Sequence, residues 1–409
     1  MRVVITGMGT TNPIGGSVPE TWEAALAGRS GINAFDNDWM ERYEIPVGFA
    51  GFAAREPGEV LGVRETKRMD RSTQLLMVAA LEAWEDAGAP EVAGERLGVV
   101  ASSGIGGVTT LLDGWDTVRE RGARRVLPLT VPMLMPNAPA ANLSVRFGAK
   151  AGSHAPVSAC ASGAEAIGWA VRMIRSGDAD VMIAGGTEAC IHPSTLAFFA
   201  KMQALSTRND DPQGASRPYD VNRDGFVMGE GAGVLVLESE EHALARGATI
   251  YGEVVGVGMS ADAYDVAPPD PTGAGQERAM RLGIADAGIE GSQVSHVNAH
   301  GTSTPAGDLV EAKAIARVAG ESVLVTATKS MTGHLLGGAG ALESILTVLA
   351  LKHRQVPPTI NVEDPEPELP VDLVRDTPRD LPGEGEVYGV NNAFGFGGHN
   401  VALVFRNEK

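Results

Sequence analysis

The chain has 409 residues with a formal net charge of −18 at pH 7, and 44% of its residues are hydrophobic against 21% charged. This composition is that of a folded globular protein with room for two or three domain-sized units, and it excludes a mostly disordered or collagen-like chain. The negative charge excludes broad binding to nucleic acid or to an anionic membrane, so an anionic partner requires a local basic patch.

Cysteine content and the first residues bear on where the protein resides. Cys160 and Cys190 are the only cysteines, which is too few for a disulfide scaffold. The opening residues MRVVITGMG predict a strand rather than a signal sequence, and the longest apolar runs are strand-sized. We therefore expect a cytoplasmic protein without a membrane span.

Short runs rich in Val and Ile alternate with longer Ala-rich stretches, a pattern that predicts an α/β fold with buried strands. Three features of the first half recur in the same order in the second half. The repeats are the helix ends DAG at 86–88 and 286–288, the helix starts GAEAI at 163–167 and GALESI at 340–345, and the glycine-rich strands at 225–239 and 393–405. The sequence thus predicts two duplicated halves, 1–250 and 251–409. Insertions near 108–150 and 190–225 fit the repeat poorly and could cover a site or form a subunit contact.

Cys160 lies between small residues in VSACASG, at the start of an apolar helix. Unpaired amides at a helix N-terminus stabilise a thiolate, so we expect a lowered thiol pKa, and small neighbours let a substrate carbonyl approach the sulfur. Cysteine is also a common packing residue, and the residues alone leave the two roles equally open. Cys190 has neither a helix start nor a basic neighbour and is interpreted as a packing residue.

Two histidines lie at the ends of predicted elements, His300 in VNAHGTST and His334 in KSMTGHLLGG. Two imidazoles in one pocket can hold a carbonyl oxygen and stabilise an enolate without a metal. A zinc site is disfavoured because the two loops are distant in sequence and lack a nearby Cys or an HxxxH helix. A nucleotide site is disfavoured because no Rossmann-type GxGxxG or GxxxxGK[ST] motif is present.

Polar residues beside these segments predict a buried hydrogen-bonded network, which could also hold one cation. Its members are Asn298, Glu343, Asn391 and Asn392.

Essentially the whole chain resembles the β-ketoacyl-acyl carrier protein synthases, and within them the elongating synthase II type. The resemblance rests on SACASGAEAIG, GGTEA, the segment from ALSTRND to VLVLE, VNAHGTSTPAGD, TKSMTGHLLGGAGALESI and NNAFGFGGHN. It implies a thiolase-like, five-layered αβαβα fold of two duplicated halves and a homodimer. The ending GFGGH resembles the actinobacterial branch.

The resemblance also implies an activity, decarboxylative Claisen condensation of malonyl-acyl carrier protein with an acyl chain held on a cysteine. Carried over by motif, Cys160 is the nucleophile, and His300 and His334 serve decarboxylation and enolate stabilisation. Lys329 supports them electrostatically. Phe394 is the gate over the cysteine, and its backbone amide and that of Cys160 form the oxyanion hole.

Binding roles follow from the same resemblance. Thr302 and Thr304 are expected to hydrogen-bond the pantetheine arm, and Ile105 and Phe199 to line the acyl tunnel, Ile105 near a subunit contact. The partner is acyl carrier protein, whose phosphopantetheine brings the substrates, and no cofactor bound by the enzyme itself is implied. The expected docking surface, whose alternative is an ordinary solvated helix face, consists of Arg64, Lys67, Arg68 and Arg71.

Other functions remain open at this point. A ketosynthase subunit of an actinobacterial type II polyketide or polyene synthase, paired with a second copy or with a chain-length-factor-like subunit, would use the same residues. A non-catalytic partner is disfavoured because Cys160, His300 and His334 are all retained. A thiolase is disfavoured because no cysteine follows Cys190. The loop 263–268 also lacks a threonine that many relatives carry, so one pantetheine or carrier contact that the resemblance implies has no residue assigned to it.

Overall fold

The computed structural model describes residues 1–381 and 383–408. The strands are β1 (Val3–Thr11), β2 (Asn33–Ala34), β3 (Phe49–Ala50), β4 (Leu97–Ser103), β5 (Gly152–His154), β6 (Val181–Glu188), β7 (Gly231–Ser239), β8 (Gly252–Ala261), β9 (Val294–Asn298), β10 (Leu324–Thr326), β11 (Gln355–Val356), β12 (Asp372–Leu373), β13 (Arg379–Asp380), β14 (Tyr388–Gly395) and β15 (His399–Asn407). The helices are α1 (Val18–Leu26), α2 (Trp39–Tyr43), α3 (Val63–Thr66), α4 (Arg71–Asp86), α5 (Val108–Arg121), α6 (Thr130–Leu134), α7 (Ala138–Phe147), α8 (Ser162–Ser176), α9 (Pro193–Lys201), α10 (Glu240–Ala245), α11 (Ala274–Ala287), α12 (Asp308–Ala319), α13 (Lys329–Thr332) and α14 (Ala339–His353).

The strand order is the same in both halves of the chain. The first half runs β1-β7-β6-β4-β5, and the second runs β8-β15-β14-β9-β10, with β12 added at its edge. In each half the first two pairings are antiparallel and the next two are parallel. The halves join through two residue pairs between β1 and β8. The predicted duplication is therefore confirmed.

Helices form three layers around the two sets of strands. α8 and α14 pack against each other and against strands of both halves, whereas α4 with α7 and α11 with α12 cover the outer faces. All residues of α14 from Ala339 to Leu351 are buried. Burial on all sides explains why this helix is mostly apolar around its circumference instead of amphipathic, with Glu343, Ser344 and Thr347 as the buried polar exceptions. The predicted five-layered αβαβα fold is confirmed. In this fold the start of α8 and the loops before α14 lie next to each other between the two halves.

Apart from α7, which connects β4 to β5 as α12 connects β9 to β10, the two poorly repeating segments lie outside the matched strands and helices. Residues 108–150 form α5, α6 and α7, and no residue of α5 is buried. Residues 190–225 contain α9 and part of the wall of the cavity described below.

Among the described residues, no helix combines the length and apolar character needed to cross a membrane.

Candidate active site

Cys160 lies in a single 3-10 turn, Ala159–Ala161, that leads directly into α8. Ala159 has φ = +50°, in the left-handed region that a residue with a side chain rarely adopts. Ser162 holds this turn, since its Oγ accepts from Ser158 N at 3.0 Å and donates to Ala159 O at 2.7 Å. Gly395 of β14 lies against the turn, and a Cβ there would stand 2.3 Å from Ser158 O. The fold thus presents the cysteine on a strained corner between the two halves.

The thiol of Cys160 is buried, and burial raises its pKa to about 12, although the Lys329 charge lowers it. The expectation of a lowered thiol pKa is therefore wrong for the free site, because loss of solvation outweighs the start of the helix. The backbone amides that donate to the sulfur are those of Cys160 itself and Phe396. The second amide was expected from Phe394, so that assignment is wrong by two residues of the same loop.

His300 and His334 lie edge to face, with ring centroids 5.3 Å apart and planes at 85°. Burial, followed by the nearby Lys329 charge, lowers the pKa of both imidazoles well below the ordinary value. Both rings are therefore neutral near pH 7 and can donate one N–H each. The Phe394 ring packs on His300 with centroids 5.7 Å apart, and that of Phe226 on His334 at 5.4 Å.

Lys329 connects the histidines to a buried carboxylate. Its Nζ donates to His300 O at 2.6 Å and to Glu343 Oε1 at 2.5 Å, and lies 3.4 Å from His300 Nδ1. An ammonium facing Nδ1 favours the tautomer with the proton on Nε2, which leaves that N–H for the substrate. Burial raises the pKa of Glu343 to about 7, against the opposing effect of Lys329.

The four residues predicted to form a polar network are all buried in one region. Asn298 Nδ2 donates to Glu343 O at 3.4 Å, and Asn391 Nδ2 donates to Gly340 O at 2.8 Å. Asn392 extends the network to a carboxylate on α12, described next. Their hydrogen bonds fix the backbone around α14. Within the described residues, no three His, Cys, Asp or Glu side chains are grouped as metal ligands would be.

Sequence analysis missed the carboxylate on α12. Glu311 accepts from His300 N at 2.7 Å through Oε1 and from Gly301 N at 2.8 Å through Oε2. Asn392 Nδ2 donates to the same Oε1 at 3.1 Å. Burial raises the pKa of Glu311 to about 7. The one sequence feature that could have indicated Glu311 is its place in the first turn of α12. Acidic residues are common in the first turn of any helix, so this feature does not single out a functional residue.

A cavity of about 420 Å³ brings the candidate residues together. Its wall includes the predicted Cys160, His300, His334, Phe394, Thr302, Thr304 and Phe199, together with Phe396. The hydroxyls of Thr302 and Thr304 lie 3.1 Å apart. Ile105 does not belong to this wall in the single chain and is 40% exposed.

The predicted docking residues divide into two groups. Arg64, Lys67 and Arg68 are exposed along α3 and the turn before α4. Arg71 instead pairs through its Nη2 with the buried Glu230 at 2.6 Å, and through its Nη1 with Glu56 at 2.8 Å. These two ion pairs occupy the charge of Arg71, so Arg64, Lys67 and Arg68 are the members of the set with free exposed charge, and the docking role of all four stays a prediction.

Comparison with known proteins settles the family. Residues 1–243 match the model of the beta-ketoacyl synthase N-terminal domain, and residues 251–363 match that of the C-terminal domain. The chain belongs to the β-ketoacyl synthase family. Among its relatives, the 3-oxoacyl-[acyl-carrier-protein] synthase 2 of Vibrio cholerae is 47% identical over 412 residues, which covers 99% of both chains. The protein of the same name from Staphylococcus aureus is 46% identical, covering 99% of this chain and 98% of that one. The actinobacterial assignment stays a prediction.

Solved structures of other β-ketoacyl synthases share the whole fold. A synthase from Burkholderia phymatum superposes with a TM-score of 0.91 at 37% identity, with 100% of both chains covered. A ketosynthase solved with a type II polyketide acyl-carrier protein and bound to a hexaketide superposes with a TM-score of 0.90 at 31% identity, covering 100% of this chain and 99% of that one.

Proposed function

We propose that this β-ketoacyl synthase is a 3-oxoacyl-[acyl-carrier-protein] synthase that extends acyl chains by two carbons in fatty acid synthesis. The observation that carries the proposal is the meeting of Cys160, His300 and His334 in one cavity. Two neutral imidazoles beside a thiol on a strained corner suit a reaction whose charge develops on substrate oxygens.

The first step is transfer of the acyl group to Cys160. The thiol attacks the carrier thioester, a carbon–sulfur bond to Cys160 forms, the bond to the carrier sulfur breaks, and the thiol proton ends on the carrier thiol. The amides of Cys160 and Phe396, which donate to the resting sulfur, are placed for the oxyanion of this step. A thiol with a raised pKa is un-ionised at rest, so its proton leaves while the new bond to the carbonyl carbon forms.

The second step is decarboxylation and condensation. Malonyl thioester loses carbon dioxide, and the electrons of the broken bond form an enolate whose oxygen accepts from the N–H groups of His300 and His334. The enolate carbon attacks the acyl carbonyl, the bond to Cys160 breaks, and the thiolate takes a proton from solvent. Lys329 positions His300 for this task, and Thr302 and Thr304 hold the pantetheine arm.

Access to the sulfur is assigned to the loop after β14. The side chain of Phe396 is 37% exposed, and the backbone amide of the same residue faces Cys160. Phe394, in contrast, is buried against His300. A gate therefore suits Phe396 better than Phe394. Phe199 stays the proposed tunnel residue within the chain, and Ile105 would reach the tunnel only from a partner subunit.

We also propose a homodimer. Ile105 is 40% exposed, and Leu111 and Trp115 on α5 are 52% and 59% exposed, on a helix without a buried residue. Leu111 and Trp115 lie one turn apart on the same side of α5, and exposed large apolar residues grouped in this way mark a protein contact. Sedimentation of the wild type and of Trp115→Glu tests the pairing: a dimer that the substitution dissociates is expected, and a monomeric wild type would contradict it.

A type II polyketide or polyene ketosynthase subunit is the second candidate. Its support is the structural match to the ketosynthase that carries a hexaketide. The identity to that chain is 31%, against 47% for the Vibrio cholerae synthase over nearly the full length, so fatty acid elongation is favoured.

The deciding experiment follows acyl-Cys160 by intact mass and carbon dioxide release from malonyl carrier. With saturated acyl carriers of graded length, we expect a mass increase of one acyl group and a product longer by two carbons. Cys160→Gln should lose acyl transfer but keep decarboxylation, because the amide mimics the acylated state while no thiol remains. Acyl label on Cys160→Gln would exclude Cys160 as the nucleophile. Extension of only polyketide intermediates would favour the second candidate.

A further inference from the structure

Gln276 is a buried amide that the mechanism does not use. It is the third residue of α11, is 3% exposed and belongs to the cavity wall. Its Oε1 is buried without a hydrogen-bond partner among the described residues. A buried acceptor left without a donor is costly, so an oxygen of this kind inside a ligand cavity points to a donor that the ligand or a water supplies.

The surroundings of Gln276 are rich in acceptors that are already satisfied. Asp262 accepts from Asn400 Nδ2 at 2.6 Å and from Asp270 N at 3.1 Å. Asp308 accepts from Tyr219 N and Ser303 N, both at 3.1 Å. Of these three wall residues, Gln276 is the one with a free acceptor, and that acceptor is a neutral carboxamide oxygen. A neutral N–H or O–H group is the donor that suits it.

A second orphan oxygen lies on the same side of α11. Met280, one turn after Gln276, contacts Asn392 Nδ2 through its sulfur at 3.5 Å, and the Oδ1 of Asn392 also has no partner among the described residues. Because Asn392 Nδ2 donates to Glu311, which holds the His300 backbone, this face of α11 borders the reacting groups.

We propose that Gln276 binds the phosphopantetheine arm of the carrier by accepting one of its amide N–H groups through Oε1. This inference rests on the proposed function, because it requires substrates that arrive on an arm with two secondary amides. The arm has to pass along the wall that Gln276 shares with Thr302 and Thr304 to reach Cys160. The loop 263–268, which lacks a threonine contact, borders the same cavity, so Gln276 supplies a polar contact on that side.

The test compares three acyl-pantetheine thioesters with the same acyl group: the unmodified compound and two in which one or the other amide nitrogen is methylated. Formation of acyl-Cys160 is followed by intact mass with wild type, with Gln276→Met and with Leu282→Met as the matched control. Leu282 is exposed on the same helix and outside the cavity wall. Methionine keeps the length of glutamine and removes its hydrogen bonds.

We expect one methylated compound to acylate the wild type and Leu282→Met about two- to tenfold more slowly than the unmodified compound, the range of one hydrogen bond. Gln276→Met should react with all three compounds at similar rates. Equal discrimination in wild type and Gln276→Met, or none in the wild type, would overturn the proposal and assign a water to Gln276. If Gln276→Met does not fold, Gln276→Asn takes its place, because the shorter side chain withdraws the acceptor while keeping the amide. Discrimination equal to that of the wild type then overturns the proposal. Failure of the proposed function is distinct, because the wild type would then form no acyl-Cys160 with any of the compounds.

Discussion

Lys329 and Glu343 form an ion pair with Nζ and Oε1 2.5 Å apart, and their side chains are only 1% and 2% exposed. The same ammonium donates to the backbone oxygen of His300. One buried charge pair therefore ties α13 and α14 to the loop that carries a proposed catalytic imidazole.

Removing the cation of this pair is expected to destabilise the protein strongly. Lys329→Met leaves Glu343 buried without its partner, which costs about 3–5 kcal/mol. The exposed pair of Lys313 and Glu368, 3.1 Å apart, is the control, and Lys313→Met should cost about 0–1 kcal/mol. Urea unfolding followed by circular dichroism measures both. Similar small losses in the two variants would contradict a structural role for the buried pair.

The two imidazoles are expected to act mainly after acylation. His300→Ala and His334→Ala should each slow condensation by about 10²–10³, the usual effect of losing one oxyanion donor, with a much smaller effect on acyl-Cys160 formation. Single-turnover acylation and product formation, measured separately, distinguish the steps. The exposed His154 provides the control, since His154→Ala should leave both rates unchanged. Equal loss of both steps in the two site variants would refute this division of roles.

His296 is expected to make the fold sensitive to acid. Both of its ring nitrogens are buried without partners among the described residues, and burial lowers its pKa to about 3. As pH falls below the unfolded value of about 6.5, the unfolded chain binds this proton first, so stability is lost across the interval from 6.5 to 3. At pH 5 the loss from this one group is about 2 kcal/mol.

Substituting His296 should therefore remove part of the pH dependence. Relative to wild type, His296→Leu should gain about 2 kcal/mol of unfolding free energy between pH 7.5 and pH 5, while His154→Leu should gain none. Urea unfolding at the two pH values provides the measurement. A His296→Leu profile parallel to that of wild type would show that the ring is not kept neutral in the fold.

The exposed basic residues before α4 are expected to guide the acidic carrier. Lys67→Glu and Arg68→Glu should slow turnover of carrier substrates at low salt, with the defect shrinking as salt rises, and leave small pantetheine thioesters unaffected. Arg29→Glu reverses an exposed charge on another surface and serves as the control. A salt-independent defect, or equal loss with the small thioesters, would exclude docking at this surface. Arg71→Glu should lower stability instead, because its partner Glu230 is buried.

Local sequence was sufficient for much of this site. Cys160 between small residues, and His300 and His334 at element ends, are short-range patterns that do not depend on the fold to be recognised. The duplicated halves were also readable, because the ends of α4 and α11 and the starts of α8 and α14 impose the same glycine and alanine spacing twice. Close helix and strand packing requires small residues wherever it occurs, so the repeat remained visible.

The remaining features depend on contacts between segments far apart in the chain. Glu311 supports His300, and Arg71 is paired with Glu230. Phe396, rather than Phe394, presents its amide to Cys160. None of these partners can be predicted from the residues next to them in the sequence. The sequence by itself determined which groups can react and that the fold is duplicated. Only the tertiary structure decided their protonation and their partners, because burial and long-range charges, which set pKa values, exist only once the two halves close around the cavity.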